Sequence, residues 1–297
     1  MINAKSRVFD GSVAMRKLLL VAVIFGAASG AQAADMPDFL RGSLPASSAP
    51  TRNWDGWYAG GQVGYAWTNT DYGNSVVSMT NDLFRSTTLQ DPVSQLTLLG
   101  RVNGRSPGFG AFVGRNYQYD DIVLGVEANY SYMSSLATST AATLGPIQVP
   151  EPTLVLPPGA VAADGVTLKG SAALQVKDEM TFRGRAGWAT GDFLPYMFGG
   201  LAVGRMDVTR TVSSSVTRTI NFADGTSTSF QLPQFALTTT DGRSNNFVAG
   251  WTAGLGMEYM LWGNVFLRGE WEYIKFMTIK DTVVTQNSVH AGIGYKF

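Results

Sequence analysis

The chain has no cysteine, a single histidine, only 15% charged residues and no excess of either sign, since 22 Lys and Arg are balanced by 22 Asp and Glu. Each scarcity removes a class of function. Without cysteine there is no disulfide framework, thiol nucleophile, cysteine-based metal site or lipid attachment at an amino-terminal Cys. Without a concentrated basic surface, nucleic acid is excluded as a partner. No metal-ligand spacing or phosphate-binding glycine loop is convincing; Gly250-x-x-x-Gly254 falls in an alternating stretch, where its helix-packing meaning does not apply. No cofactor and no metal are expected. After the first residues no segment reaches ~18 uninterrupted apolar residues, so the mature chain is predicted to contain no helical membrane span.

One short apolar run does occur, Leu18 to Ala28, preceded by Met15-Arg16-Lys17 and followed by Ala31-Gln32-Ala33-Ala34-Asp35. A basic start, a short apolar centre and a small-x-small site form a secretory signal peptide, expected over 1–34 with cleavage after Ala33 or Ala34. The run is too short for a helix to cross about 30 Å of hydrocarbon. Residues 1–14 are either an extended basic region or follow an upstream start, with Met15 as the working one. Pro37, Pro45 and Pro50 mark 35–53 as a periplasmic linker, and the folded domain is expected over 54–297.

What fills that domain is alternation of period two. In Asn287–Phe297, Val289, Ala291, Ile293, Tyr295 and Phe297 alternate with His290, Gly292, Gly294 and Lys296, as in a strand with one apolar face. The same signature opens the domain, where Trp57, Ala59, Val63, Tyr65 and Trp67 oppose Gly60, Gln62, Gly64 and Ala66. It recurs at about Gly108–Tyr119, Ile122–Met133, Lys177–Ala189, Phe193–Arg210, Asn246–Leu261 and Val265–Met277. Eight strands with short turns at Asp120-Asp121, Thr190-Gly191-Asp192 and Trp262-Gly263-Asn264 leave longer connections at about 69–107, 134–176, 211–245 and 278–286. Short and long connections alternate, as in an all-β, eight-stranded antiparallel up-and-down transmembrane β-barrel whose last strand pairs with its first.

Charges within strands decide which face meets lipid. Glu127, Arg183, Arg185, Arg205, Asp207, Glu258, Arg268, Glu270, Glu272 and Lys296 are assigned to the face opposite the apolar one. A charge facing the hydrocarbon midplane costs about 2–4 kcal/mol, so these ten are expected in a polar lumen. Eight strands leave room for little more than side chains, which predicts a salt-bridged plug. Arg115 falls on the outward parity, and a bulge or a rim position would reconcile it. Inward glycines such as Gly60, Gly114, Gly254, Gly256 and Gly294 are expected to make room for long charged side chains. Trp57, Trp67, Tyr117, Tyr119, Tyr130, Tyr132, Trp188, Tyr259, Trp262, Tyr295 and Phe297 gather near strand ends as interfacial girdles. A soluble calyx, the same barrel turned inside out, has the same periodicity; the leader, the terminal aromatic and the inward glycines favour the membrane.

Asn53-Trp54-Asp55-Gly56-Trp57-Tyr58-Ala59-Gly60-Gly61, the segment Leu194-Pro195-Tyr196 to Gly199-Gly200-Leu201-Ala202, and the ending His290–Phe297 resemble the small porin-like outer-membrane β-barrels of alphaproteobacteria. These are also called outer-membrane immunogenic proteins and are relatives of the opacity-type adhesin barrels. The resemblance covers about 53–297 and implies the outer membrane as location, outer-membrane lipid as surroundings, Tyr295 and Phe297 as a signal read by the barrel assembly machinery, and exposed antigenic loops. It does not imply one activity.

The function expected is structural and interfacial: envelope integrity and loop display, with a host or surface partner reached through the long loops. The alternatives are a narrow porin-like channel, a surface haem-binding protein and, remotely, a lipid-modifying barrel enzyme. His290 is the one weak cofactor candidate, as a haem ligand, and with Ser288 on the same face it is also the one pair suggestive of acyl transfer. No carboxylate is identifiable as its orienter, and no enzyme is expected. The apolar, Pro-rich stretch 144–158 is expected to pack over the barrel mouth, with a docking surface as the other reading. The Ser/Thr-rich 211–230 reads as a solvated extension of its hairpin.

Overall fold

The computed structural model describes residues 52–297, apart from the side chains of 134–136. The expected leader and most of the expected linker lie outside the described residues. In chain order the elements are β1 (Gly56–Asp71), α1 (Val77–Leu83), α2 (Gln90–Ser94), β2 (Arg101–Tyr119), β3 (Ile122–Pro150) and β4 (Val161–Trp188). Then follow β5 (Phe193–Asn221), β6 (Ser227–Gln231), a 3-10 turn (Pro233–Phe235), β7 (Thr238–Trp262), β8 (Val265–Phe276) and β9 (Val283–Lys296).

Every pairing is antiparallel, and the pairings close on themselves. β1 through β5 join in sequence, β5 joins β7, and β7, β8 and β9 lead back to β1, so eight strands form a ring. β6 stands outside the ring and pairs only with the far end of β5. The final strand meets the first along its length, from Tyr58 opposite Lys296 to Asp71 opposite Val283. Closure satisfies the backbone groups that a free edge would expose. Gly191 and Gly263 take left-handed φ of 59° and 53° in the tight turns after β4 and β7, where a side chain would be strained.

The strands are longer than the alternation suggested. β3, β4, β5 and β7 run for 29, 28, 29 and 25 residues, against 12 and 14 in β8 and β9. Most of the connections expected at 134–176 and 211–245 are therefore strand. Register shifts mark the level at which the faces change character. Bulges between Tyr132 and Leu136, Val176 and Asp178, and Met206 and Val208 fall at one level of the ring. An extra residue in β4 moves every later side chain to the opposite face, whereas β5 keeps its parity and changes the residues on it. In β4, Glu179, Thr181, Arg183 and Arg185 are buried on one side of the bulge, and Val176, Leu174 and Ala172 on the other. Below this level apolar side chains face out; above it they face in, with Lys169 and Ser171 exposed.

The upper section thus has an apolar core of its own, and the 72–100 connection supplies nearly a third of its buried residues. Tyr72, Val76, Met79, Phe84, Leu89, Val93, Leu98 and Leu99 pack on the inward residues Val166, Leu168, Leu174, Met206, Val208 and Val212. Val76, Met79 and Leu83 recur at i, i+3 and i+7, which puts them on one face of α1. Phe84 stacks on Phe235 with centroids 5.9 Å apart, and the Tyr72 hydroxyl donates to the Thr138 carbonyl at 2.9 Å. Arg210 reaches the Ser75 carbonyl and pairs with Asp241 at 2.5 Å. Hydrogen bonds from Lys280 and then Arg210 hold the Asp241 carboxyl below its ordinary value. At the far end Arg218 grips Asp164 with two bonds, 2.6 and 2.7 Å, and reaches Glu151 at 3.3 Å.

The Pro-rich stretch does not cover the mouth. Its first part continues β3, with Ile147 opposite Val166, and the rest forms the tip of the β3–β4 hairpin, where Val155 is 97% exposed. The 211–230 segment is the paired β5–β6 hairpin.

Candidate functional site

Inside the ring, below the bulges, β3, β4, β7 and β8 bring seven charges together. Residues two apart on a strand share a face, which aligns Arg183 with Arg185 and Arg268 with Glu270 and Glu272. Register then puts Glu127 opposite Arg183 and Glu258 opposite Arg268. Arg183 pairs with Glu127 at 2.5 Å, Glu270 at 2.7 Å and Glu272 at 3.5 Å. Arg185 pairs with Glu258 at 2.8 Å and Glu127 at 3.3 Å. Arg268 bridges Glu127 and Glu258, both at 2.6 Å. None of the seven side chains exceeds 3% exposure.

Four carboxylates outnumber three guanidinium groups, and hydroxyl donors serve the excess. Tyr58 donates to Glu127 at 2.7 Å, Tyr196 to Glu270 at 2.5 Å and Thr252 to Glu272 at 2.7 Å. Aromatic faces cover the cations: Arg183 lies 4.1 Å from the Phe198 centroid, Arg185 3.8 Å from Tyr196 and Arg268 3.7 Å from Phe112. Planar guanidinium suits both tasks, forking onto carboxylates and stacking on rings.

These inward rings were not foreseen, although they keep the parity of the charges. They also correct the expected role of the inward glycines, several of which make room for rings. A Cβ on Gly256 would lie 2.4 Å from Tyr196 Cζ, one on Gly254 2.4 Å from Phe198 Cζ, and one on Gly294 2.3 Å from Phe266 Cζ. Gly256→Ala is expected to destabilise the refolded chain by about 1–3 kcal/mol through overpacking. An unchanged urea midpoint would show that the Tyr196 ring is free to move.

Two further layers bound the network. Towards the short turns, Trp54, Tyr58, Phe112, Leu194, Met260 and Phe266 form a second apolar cluster. Trp54 is 1% exposed, with its backbone N–H donating to Gln118 at 2.6 Å. Towards the bulges lies a polar layer. Gln62 donates to Asn129 at 3.1 Å, and Gln286 donates to Glu179 at 2.8 Å, a buried carboxylate also missed in the sequence.

His290 belongs to this layer and is 3% exposed at its side chain. Surface haem capture through this residue requires it outside; it is inside. A carboxylate does stand near the Ser288–His290 pair. Nε2 lies 2.9 Å from Ser288 Oγ and 3.4 Å from Glu272 Oε2, while Nδ1 faces Gln62 at 3.4 Å. An acyl-transfer triad needs serine and carboxylate on opposite ring nitrogens, so this arrangement is a buried hydrogen-bond set.

Three of the ten expected lumen charges stand apart. Arg205 and Asp207 face outward, paired with Asp178 and, at 2.8 Å, with Lys177. They share parity with Met197, Leu201 and Val203 and mark where that face turns from apolar to polar. Lys296 faces inward but at the rim, bonded to the carbonyls of Asn53 and, at 3.3 Å, Asp55. Arg115 is outward near the end of β2, 3.5 Å from Asp55 and stacked 5.1 Å from Tyr117, as a rim position requires.

The outer face completes the picture. Val63, Phe109, Val113, Val126, Met197, Leu201, Leu255 and Ile293 are all exposed. Trp57, Tyr117, Trp188, Trp262 and Tyr295 are exposed towards the short turns, and Tyr65, Trp67, Tyr130, Tyr132 and Trp251 towards the bulges. Apolar side chains outside and ion pairs inside invert the plan of a water-soluble protein and define a β-class membrane protein.

The family model described as "Outer membrane protein beta-barrel domain" matches residues 19–297, and the chain belongs to that family, as an outer-membrane protein. The 25 kDa outer-membrane immunogenic protein of Brucella ovis is 24% identical over 253 residues, covering 85% of this chain and 83% of that protein. The 31 kDa outer-membrane immunogenic protein of Brucella melitensis is 26% identical over 294 residues, covering 95% and 100%. Among solved structures, Ail, the attachment invasion locus protein of Yersinia pestis, overlaps at a TM-score of 0.30 with 11% identity, covering 81% of this chain and 99% of that one. Neisserial surface protein A overlaps at 0.29 with 13% identity, covering 81% and 97%.

Proposed function

We propose that the eight-strand ring spans the outer membrane as a sealed barrel, with no catalytic role, and that its work is structural and at the cell surface. The observation that carries this is the Arg–Glu cluster, which occupies the interior at the level of the lipid-facing belt. About 9–11 tilted residues suffice for a β-strand to cross hydrocarbon. Trp57–Trp67 on β1 and Phe193–Val203 on β5 have that length; the remainder of β3, β4, β5 and β7 stands clear of the bilayer as a rigid platform. The platform presents the tip around Val155 and the β5–β6 hairpin to the exterior, where a host or surface partner would meet them. The assembly machinery would read Phe297, which is 73% exposed and packed edge-on to Tyr295.

Display has a direct test. An epitope inserted after Val155 is expected to bind antibody on intact cells, and one inserted between Asp120 and Asp121 only after the outer membrane is permeabilised. Equal labelling of both, or the reverse order, would overturn the orientation and the display role together.

A further inference from the structure

The outward face of β8, β9, β1 and β2 carries a patch that sealing and display leave unexplained. Three rows cross these strands in register. Trp271, Val289, Tyr65 and Pro107 form the first, still within the apolar belt. Tyr273, Asn287, Trp67 and Arg105 form the second, and Lys275, Thr285, Asn69 and Asn103 the third. Over three rows the surface passes from aromatic, through Trp and Tyr flanked by amide and guanidinium, to amide, hydroxyl and ammonium. A groove of about 510 Å³ opens here, lined by Tyr65, Trp67, Asn69, Asn103, Arg105 and Asn287.

The charges distinguish this patch from the rest of the rim. Around that level the outward carboxylates already have cations: Asp71 takes Arg101 at 2.8 Å, Asp207 takes Lys177 at 2.8 Å, and Asp178 takes Arg205. Arg105 and Lys275 are both exposed, and their side chains have no ion pair or hydrogen bond among the described residues. β1, β2, β8 and β9 are also the shorter strands of the ring, which do not rise into the platform.

The geometry points to a binding site for the phosphorylated sugar headgroup of a glycolipid in the outer leaflet, with its acyl chains against the Tyr65 row. Trp67 offers a flat face for a sugar ring, Asn69, Asn103 and Asn287 pair with hydroxyl groups, and Arg105 and Lys275 bracket the patch for phosphate. Cations at headgroup height attract anionic lipid, and salt screens them little at contact. The inference rests on the proposed membrane orientation, and its test separates the two.

The chain is refolded into nanodiscs of phosphatidylcholine, and insertion is read from fluorescence quenching by brominated acyl chains. A bisphosphorylated diglucosamine lipid, its dephosphorylated form and phosphatidylglycerol are then titrated, with retention read by native mass spectrometry. The bisphosphorylated glycolipid is expected to be retained in preference to the other two, and Arg105→Gln with Lys275→Gln to lower its retention about tenfold without altering quenching. Equal retention by the variant, or of the dephosphorylated lipid or phosphatidylglycerol by the unaltered chain, would overturn the site while leaving the barrel. Absence of quenching would overturn the membrane orientation, and the site with it.

Discussion

Arg268→Met is expected to lower the unfolding free energy of the refolded chain by about 3–5 kcal/mol, measured by urea titration in lipid. Arg268 bridges Glu127 and Glu258, and its removal leaves four buried carboxylates to two guanidinium groups. The penalty comes from stranded charge more than from a lost attraction, because burying an ion pair roughly cancels Coulomb gain against desolvation. A second variant separates these causes. Adding Glu258→Gln to Arg268→Met relieves the charge excess and should recover part of the loss. Equal stability of single and double variants would mean that lost packing against Phe112 governs the effect, since Arg268 stacks 3.7 Å from that ring.

The second large effect belongs to the platform. Phe84 is fully buried between the 72–100 connection and Phe235, and Phe84→Ala should cost about 3–5 kcal/mol locally through the cavity it leaves. The membrane section has separate packing, so the loss should fall on the connection alone. Limited proteolysis would then cleave the variant within 72–100 while the belt strands stay protected. Cleavage spread through β8 and β9 at the same rate would contradict the separation of the two cores.

Much of the ring was legible because its chemistry repeats with the pleat. Arg183 and Arg185, or Glu270 and Glu272, keep one parity against exposed neighbours such as Phe182 and Trp271, and that parity reveals a face without any knowledge of the partner strand. Distant partners such as Glu127 and Arg268 needed the ring itself. Arg205 and Asp207 were misplaced by the assumption that every strand charge is inward; their parity with Leu201 and Val203 shows that the lipid-facing side had ended. The sequence reads the platform as loops because the chemistry of each parity changes there: in β5 the apolar set passes from Leu201 and Val203, outward, to Met206 and Val208, inward, while in β4 an extra residue beside Val176 turns one apolar parity from outward to inward. Tyr58, Phe112, Tyr196 and Phe198 were overlooked because aromatic residues in such a strand are expected at the lipid boundary. Their glycine partners, Gly114 for Tyr58 and Gly254 for Phe198, lie on neighbouring strands and are invisible until the register is known.

The central claim is that the interior is closed by the Arg–Glu cluster and its aromatic cover. Single-channel recording in a planar bilayer tests it most directly, on chain whose insertion has been confirmed by fluorescence quenching. A silent bilayer is the expected result for the unaltered chain. Stable unitary current steps that disappear when Arg183 or Glu270 is altered would contradict it and make the interior a conducting path.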